Sequence, residues 1–415
     1  MGKKLFGNAV VGQSGGPTAA INATLAGVIK GSLESECIGT IYGMRNGIEG
    51  LIDERLVDLG ELFSEGEALD ALKHTPAAAL GSCRKKLPSP DSLEEKDVAL
   101  YERIFSVFER YNVRYFFYIG GNDSMDTVDK LSRYADVKGI DMRIMGVPKT
   151  IDNDLAGTDH SPGYGSAAKY VATTVTEIVR DCAVYTTKAV TIVEIMGRDA
   201  GWLTASAGVG HFLGIDAPDL IYLPERNFSL DAFFASLEKA FEKHPNVVVA
   251  VSEGIRFADG RYVGEGTQTG VTDVFGHRYL AGTAKMLEQE VKAKFGCKVR
   301  SIELNLPQRC AAHLASATDI DESVAIGKRA VELASLCDVS NAMAVFERAE
   351  GDVYSCEITY RNVSEIANRE KLVPDGYIND EGNYITKECF EYILPLIVGE
   401  ASPKYENGLP KYIVI

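Results

Sequence analysis

Short runs of β-branched and aromatic residues alternate with longer amphipathic stretches through most of this 415-residue chain, and that alternation constrains its fold more than any other feature. Asn8–Val11 is followed by Ala19–Ile29, and Val113–Ile119 by Ser124–Tyr134. Arg143–Val147, Ala189–Ile195, Val247–Val251 and Val299–Leu304 repeat the strand pattern, with a further helical stretch at Tyr279–Lys294. Strands alternating with helices form parallel sheets covered on both faces, so the pattern predicts an α/β protein. At about 150 residues per domain the length allows two or three domains. Many of the strand-like runs end in glycine or a charged residue: Gly12, Gly120-Gly121, Pro148-Lys149, Met196-Gly197-Arg198 and Ser252-Glu253-Gly254. Ligands of open α/β sheets sit outside the carboxyl ends of the strands, so these ends are the candidates for chemistry.

Charge narrows the function classes. With 43 basic and 59 acidic side chains the chain carries a formal charge of −16, which argues against nucleic-acid or anionic-membrane partners. A polyanionic ligand would need a local positive pocket. The eight cysteines are scattered without metal-finger spacing, no secretory leader is evident, and no apolar run approaches the roughly 20 residues of a membrane span. Free thiols in a reducing cytoplasm are expected. Residues 53–98 and the Gly-rich 256–278 read as excursions from the sheets, and the last 50 residues as a cap or crossover.

Several strand ends carry dense functional chemistry. Gly12-Gln-Ser-Gly-Gly-Pro-Thr18 precedes a helix expected to begin near Pro17. Backbone N–H groups and the positive helix end there suit an anion, although the same residues also make an ordinary strand-to-helix turn. Ile119-Gly-Gly-Asn-Asp-Ser124 permits close backbone approach and offers oxygen ligands to a magnesium-bound phosphate; its plainer use is Asn122 or Asp123 as a helix N-cap. Val147-Pro-Lys-Thr-Ile-Asp-Asn-Asp154 gathers a lysine, a threonine hydroxyl and two carboxylates. Phosphoryl transfer needs one group to stabilise charge and another to accept the hydroxyl proton, which makes this more than a surface turn. In Met196-Gly-Arg-Asp-Ala-Gly-Trp202, Arg198 can grip a sugar phosphate or pair with Asp199. Glu253 can accept bonds from sugar hydroxyls or simply be solvated. Arg300 and Arg309 flank another strand and Arg84-Lys85-Lys86 charges a loop; each is equally at home on a surface.

Taken in order, GQSGGPT, LGSCRKK, GGNDS, PKTIDND, MGRDAGW and SEG resemble the phosphofructokinase family over residues 5–310. The resemblance implies two Rossmann-like three-layer domains with mostly parallel sheets and the active site in the cleft between them. It implies a donor-binding domain of residues 1–155 plus about 310–370, and a sugar-binding domain of about 156–309 plus 371–415. The reaction implied is phosphoryl transfer to the 1-hydroxyl of fructose 6-phosphate. Asp123 and Lys149 resemble the pyrophosphate-dependent branch, where ATP-using relatives have glycines. A carboxylate at 123 would repel an ATP α-phosphate, and Lys149 can stabilise the transferring group. The implied reaction is reversible, yielding fructose 1,6-bisphosphate and phosphate.

On this resemblance Asp152 is the general base, aided by Lys149 and Asp123, with Thr150, Ile151 and Asp154 beside the sugar and the metal-bound phosphate. Gly12, Gly15, Gly16 and Arg84 cradle pyrophosphate. Met196, Gly197, Arg198 and Glu253 hold the fructose, and Arg300 and Arg309 its 6-phosphate, one of them from a neighbouring subunit of a homodimer or homotetramer. Magnesium is the implied cofactor, with Asn122 where an aspartate is usual, so that Asp123, Asp154 or pyrophosphate itself carries more of the metal. Ala26 replaces an effector-binding arginine, which predicts no control by ADP or phosphoenolpyruvate. The alternatives are an ATP-dependent enzyme and a non-catalytic subunit of the same fold. Sedoheptulose 7-phosphate is a second conceivable acceptor.

Overall fold

Strands that are apolar at every position, rather than at alternate ones, must be covered on both faces, and the central strands here are of that kind. The computed structural model describes residues 4–64, 66–265, 282–351 and 353–415. The excursion at 266–278 and the first residues of the helical stretch, Tyr279 to Ala281, lie outside the described residues.

Numbered along the chain, the strands of two sheets are β1 (Gly7–Gln13), β2 (Ile38–Met44), β3 (Leu56–Asp58), β4 (Val113–Gly120), β5 (Arg143–Pro148), β6 (Ala189–Ile195), β7 (Leu220–Tyr222), β8 (Asn246–Ser252), β9 (Lys298–Glu303), β10 (Ala342–Arg348) and β11 (Cys356–Asn362). The larger sheet has seven strands in the order β11-β10-β5-β4-β1-β2-β3, and the smaller four in the order β9-β6-β8-β7. All pairings in the smaller sheet are parallel. The larger is parallel except at its edges, where β3 and β11 run antiparallel. Together they form the mostly parallel α/β architecture that the alternation predicts. β3 departs from the expected loop at 53–98; at three residues it is too short to leave a periodic signal.

Successive side chains of one strand feed opposite cores. Val11, Phe117 and Val147 pack with Leu25 and Ala330 on one face of the larger sheet, while Val10, Phe116 and Ile144 meet Phe108 and Leu131 on the other. In the smaller sheet Val193 and Ala250 pack with Tyr164, Trp202 and Ile393, and Ile192 and Val249 with Phe233 and Leu287. The chain leaves β5, enters helix 164–182 on the smaller sheet, and returns after β9 to the larger one. Its last helix, Lys387–Ile393, joins the smaller sheet's core, and Ile413 and Ile415 pack against the larger.

Two helices of the larger sheet meet through their backbones. α1 (Ile21–Glu34) and helix 317–336, α2 for brevity (Ala317–Leu336), touch at Gly27 and Gly327: a Cβ on Gly27 would lie 2.1 Å from the carbonyl oxygen of Val324, and one on Gly327 would lie 2.2 Å from that of Thr24. Overpacking of this kind costs about 1–3 kcal/mol, more than the gain of about 1 kcal/mol in helix propensity from Gly to Ala. Gly27→Ala is therefore expected to lower the calorimetric melting temperature. Gly66→Ala, where an added Cβ meets nothing within 4 Å, is the matched control.

Candidate active site

The carboxyl ends of β1, β4, β5, β6 and β8 open onto one cleft of about 590 Å³. At the end of β5 the chain makes a long loop from Thr150 to Gly163, closed by the Thr150 N–H donating to Pro162 O at 3.2 Å. Asn153 turns it: at φ 55° it adopts the left-handed conformation that asparagine tolerates. Its Nδ2 donates to Tyr392 Oη at 2.8 Å and its Oδ1 accepts from the Ser161 N–H at 3.0 Å. With Asn153 held away from the cleft, both Asp152 and Asp154 line it, as do Thr150 and Ile151. The Thr150 hydroxyl accepts from the Asp152 N–H at 3.1 Å.

One end of the cleft is basic. Gly15, Gly16, Arg84, Lys86, Asn122 and Asp123 line it, and Lys149 reaches across to donate to Gly16 O at 2.6 Å. Gly15 has φ 77°, and a Cβ there would stand 3.3 Å from the Lys149 ammonium, so glycine meets both the conformation and the space. The Ser14 and Ser124 hydroxyls lie 2.6 Å apart, tying this loop to the end of β4. α1 begins at Ile21, not near Pro17 as expected; the Gly-rich stretch spends its backbone on the loop and leaves the first turn further back. Gly12 is also placed differently from expectation. It lies behind the cleft wall, where a Cβ would meet Met44 at 2.2 Å and Tyr118 at 3.1 Å. Asn122 and Asp123 stand in the first turn of helix 122–138, whose N-cap is Gly121, so neither serves as the cap.

The opposite end is built by β6, β8 and the turn after β9. Met196, Arg198 and Glu253 line it, while Arg309 reaches towards Gly16, where a Cβ would stand 3.4 Å from its guanidinium. Gly197, at φ 138°, donates its N–H to Glu253 Oε1 at 3.4 Å, and Gln308 Oε1 accepts from the Met196 N–H at 3.2 Å. Gly254 must lack a side chain, because a Cβ would lie 1.7 Å from the Arg198 carbonyl oxygen. Arg300, by contrast, stands on the edge strand β9, apart from the residues lining the cleft. The lining also includes Lys86, Ser124, Asp199, Asn368 and Glu370, which the sequence did not mark as site residues. Charge density in Arg84-Lys85-Lys86 could have flagged Lys86. No local signal marks Asn368 or Glu370, which arrive from about 200 residues away.

Burial sets the electrostatics. It pulls the Lys149 ammonium down to about 8, against the opposing pull of Asp152 and Asp154. It pushes the Asp152 carboxyl up, and Asp154, which also feels Asp152, to about 7. Glu253 rises to about 8 through burial and then the charge of Asp152. Groups poised near neutrality in one cleft are suited to moving protons. Oxygen donors for a cation are present at the basic end: Asn122 Oδ1 is buried without a hydrogen-bond partner among the described residues, and the Asp123 carboxylate lines the same cleft, 3.1 Å from the Lys86 ammonium. An orphaned amide oxygen and a carboxylate in one cleft are the donor types a hard divalent cation takes.

The chain is similar to known proteins over nearly its whole length. Residues 8–334 match the Phosphofructokinase family profile. A protein of Xanthomonas campestris pv. campestris named pyrophosphate–fructose 6-phosphate 1-phosphotransferase is 44% identical over 410 residues, 98% of this chain and 96% of its own. One of the same name from Halomonas elongata is 42% identical over 407 residues, 97% and 95% of the two chains. A crystal structure described as a pyrophosphate-dependent phosphofructokinase from Nitrosospira multiformis superposes with a TM-score of 0.87 at 37% identity, covering 98% of this chain and 95% of that one.

The raised pKa of Glu253 carries a stability consequence. A buried acid favours its neutral form, so its contribution is complete below the ordinary value of 4.5 and is lost as the pH rises through about 8. Glu253→Gln stays neutral throughout. It is expected to melt above the wild type at pH 8 and level with it near pH 4.5, by differential scanning fluorimetry; equal melting at both would mean Glu253 is ionised without cost.

Proposed function

This chain belongs to the phosphofructokinase family, and we propose that it transfers a phosphoryl group reversibly between pyrophosphate and the 1-hydroxyl of fructose 6-phosphate, forming fructose 1,6-bisphosphate and phosphate. The observation that carries this reading is one cleft in which Asp152 and Lys149 stand between a basic, glycine-walled end and the arginine and glutamate pair Arg198 and Glu253. The first end suits the donor and the second the sugar. On this reading the donor is bound by the body built on the larger sheet, residues 1–155 with about 310–370, and the sugar by the remainder.

In the forward direction Asp152 accepts the proton of the sugar 1-hydroxyl as its oxygen attacks the terminal phosphorus of pyrophosphate, and phosphate departs. Lys149, anchored on Gly16 O, stabilises the charge on the transferring group. Gly15, Gly16 and Arg84 cradle the donor. Thr150, Ile151 and Asp154 line the transfer point, while Met196, Arg198, Glu253 and Arg309 hold the sugar phosphate and Gly197 orients Glu253. Asn122 and Asp123 are the residues that would hold Mg2+, which when bound neutralises pyrophosphate and orients its oxygens.

Asp123 favours pyrophosphate over ATP. Its carboxylate lines the donor end and is fixed there by Lys86, where an ATP chain would have to pass. The position of Arg300, half-buried on the strand that forms the sheet's edge among the described residues, supports a homo-oligomer in which it serves a neighbouring copy's sugar phosphate. The eight cysteines are free thiols, which supports a reducing cytoplasmic setting.

Purified protein given Mg2+ and fructose 6-phosphate is expected to form fructose 1,6-bisphosphate with pyrophosphate and not with ATP at matched concentration, in a coupled assay. Activity with ATP alone would refute the donor assignment, and silence with both the whole reading. Asp152→Ala should depress kcat by about 10²–10⁴-fold with little change in KM for the sugar, the loss expected for a general base. A further consequence concerns pH: kcat/KM for pyrophosphate, which reports free-enzyme ionisation, is expected to fall above about pH 8 as Lys149 loses its proton.

A further inference from the structure

Outside the cleft, one cation gathers an unusual share of the loop that carries Asp152 and Asp154. Lys371 lies in the segment that follows β11, half-buried on the loop's outer side. Its ammonium donates to Asp159 O at 2.5 Å, to Thr158 O at 3.3 Å and to Asn153 Oδ1 at 3.4 Å. Its backbone N–H donates to Asp154 O at 2.7 Å, and the adjacent Glu370 forms a single antiparallel bridge with Leu155. One residue thus holds the inner turn, Asn153 and Asp154, and the outer turn, Thr158 and Asp159. Lys371 is itself fixed. Its carbonyl oxygen accepts from Trp202 Nε1 at 2.8 Å, and its ammonium stands 5.1 Å from the centre of the Trp202 ring.

We propose that Lys371 is a positioning residue for phosphoryl transfer, orienting the Asp152 and Asp154 carboxylates by clamping the backbone behind them. The assignment rests on the reading of Asp152 as the proton acceptor. The loop departs from regular structure for more than ten residues, so few of its carbonyls find ladder partners. A flexible ammonium with three donors can satisfy acceptors that converge from two turns, here alongside the Tyr392 hydroxyl, which donates to Asp159 O at 2.6 Å. The clamp acts through the loop: Lys371 is not among the residues lining the cleft, whereas its neighbour Glu370 is. Because Trp202 belongs to the smaller sheet's core and the loop springs from the larger sheet's β5, the clamp also ties the reacting carboxylates to the sugar side.

The test compares the wild type with Lys371→Met, which keeps the stem and removes the donors, and Lys371→Arg, which restores donors. In the pyrophosphate assay Lys371→Met is expected to lose kcat by about 10²-fold, the scale of a misplacement near 1 Å, while both KM values stay close to wild type and Lys371→Arg recovers much of the loss. Hydrogen exchange read by mass spectrometry should accelerate in peptides spanning 150–163 in Lys371→Met and not elsewhere, an outcome independent of the assigned reaction. An inactive wild type would overturn the proposed function and leave the exchange result to decide the clamp. Unchanged kcat, unchanged exchange in 150–163, or a uniform rise in exchange across the chain would overturn the proposal. Should Lys371→Met fail to fold, Lys371→Gln is read by the same two measurements and the same outcomes.

Discussion

A buried ammonium is costly unless opposite charge surrounds it, and the cleft is organised around that requirement at Lys149. The side chain is 3% exposed, faces Asp152 and Asp154, and is opposed by Arg309 and Arg84. Each charge in the cleft is therefore tolerated because of its neighbours. Lys149 also donates to Gly16 O, so the loop after β1 and the loop after β5 are held by one contact. Remove that contact and the donor cradle loses its register against the carboxylates. The parallel sheet makes the arrangement possible, since β1, β4 and β5 are adjacent and their carboxyl ends present their loops side by side.

What could be read from the chain was what is local to a strand end. The glycines at 15 and 16, the acids at 152 and 154, the lysine at 149 and the arginine at 198 all follow directly on apolar runs, and the structure gathers them in one cleft. Local pattern fails where a residue serves packing. Gly12 looks like part of a phosphate loop, but its missing side chain makes room for Met44 and Tyr118. α1 starts later than its motif suggests for a related reason: the left-handed Gly15 and the turn after it consume residues that an idealised strand-to-helix junction would not.

The remaining gap is one of sequence distance. Lys371 reaches Asp154, Glu370 reaches Leu155 and Asn368 reaches Asp126 only because the chain crosses twice between the sheets, and neither periodicity nor motif encodes that return. Arg300 shows the converse. It sits at a strand like the other candidates, yet that strand is the sheet's edge, and edge position is a property of strand order rather than of the residues themselves. Strand order depends on which crossover each helix makes, and so lies beyond what a motif can report.

The glycine contact between α1 and α2 bears on the dimensions of the cleft. The two helices run in parallel, with Ala20 near Ile320 at one end and Lys328 paired to Glu34 further along. α1 begins just after the donor loop, and α2 begins a few residues beyond Arg309. At Gly27 and Gly327 the contact is backbone against backbone, with no side chain at those two points to re-rotamerise. The two segments that precede these helices meet in the cleft wall, where a Cβ on Gly16 would stand 3.4 Å from the Arg309 guanidinium. Two glycines about 300 residues apart in the chain thus join the helix that follows Gly16 to the helix that follows Arg309, and a side chain at either would push those two starts apart.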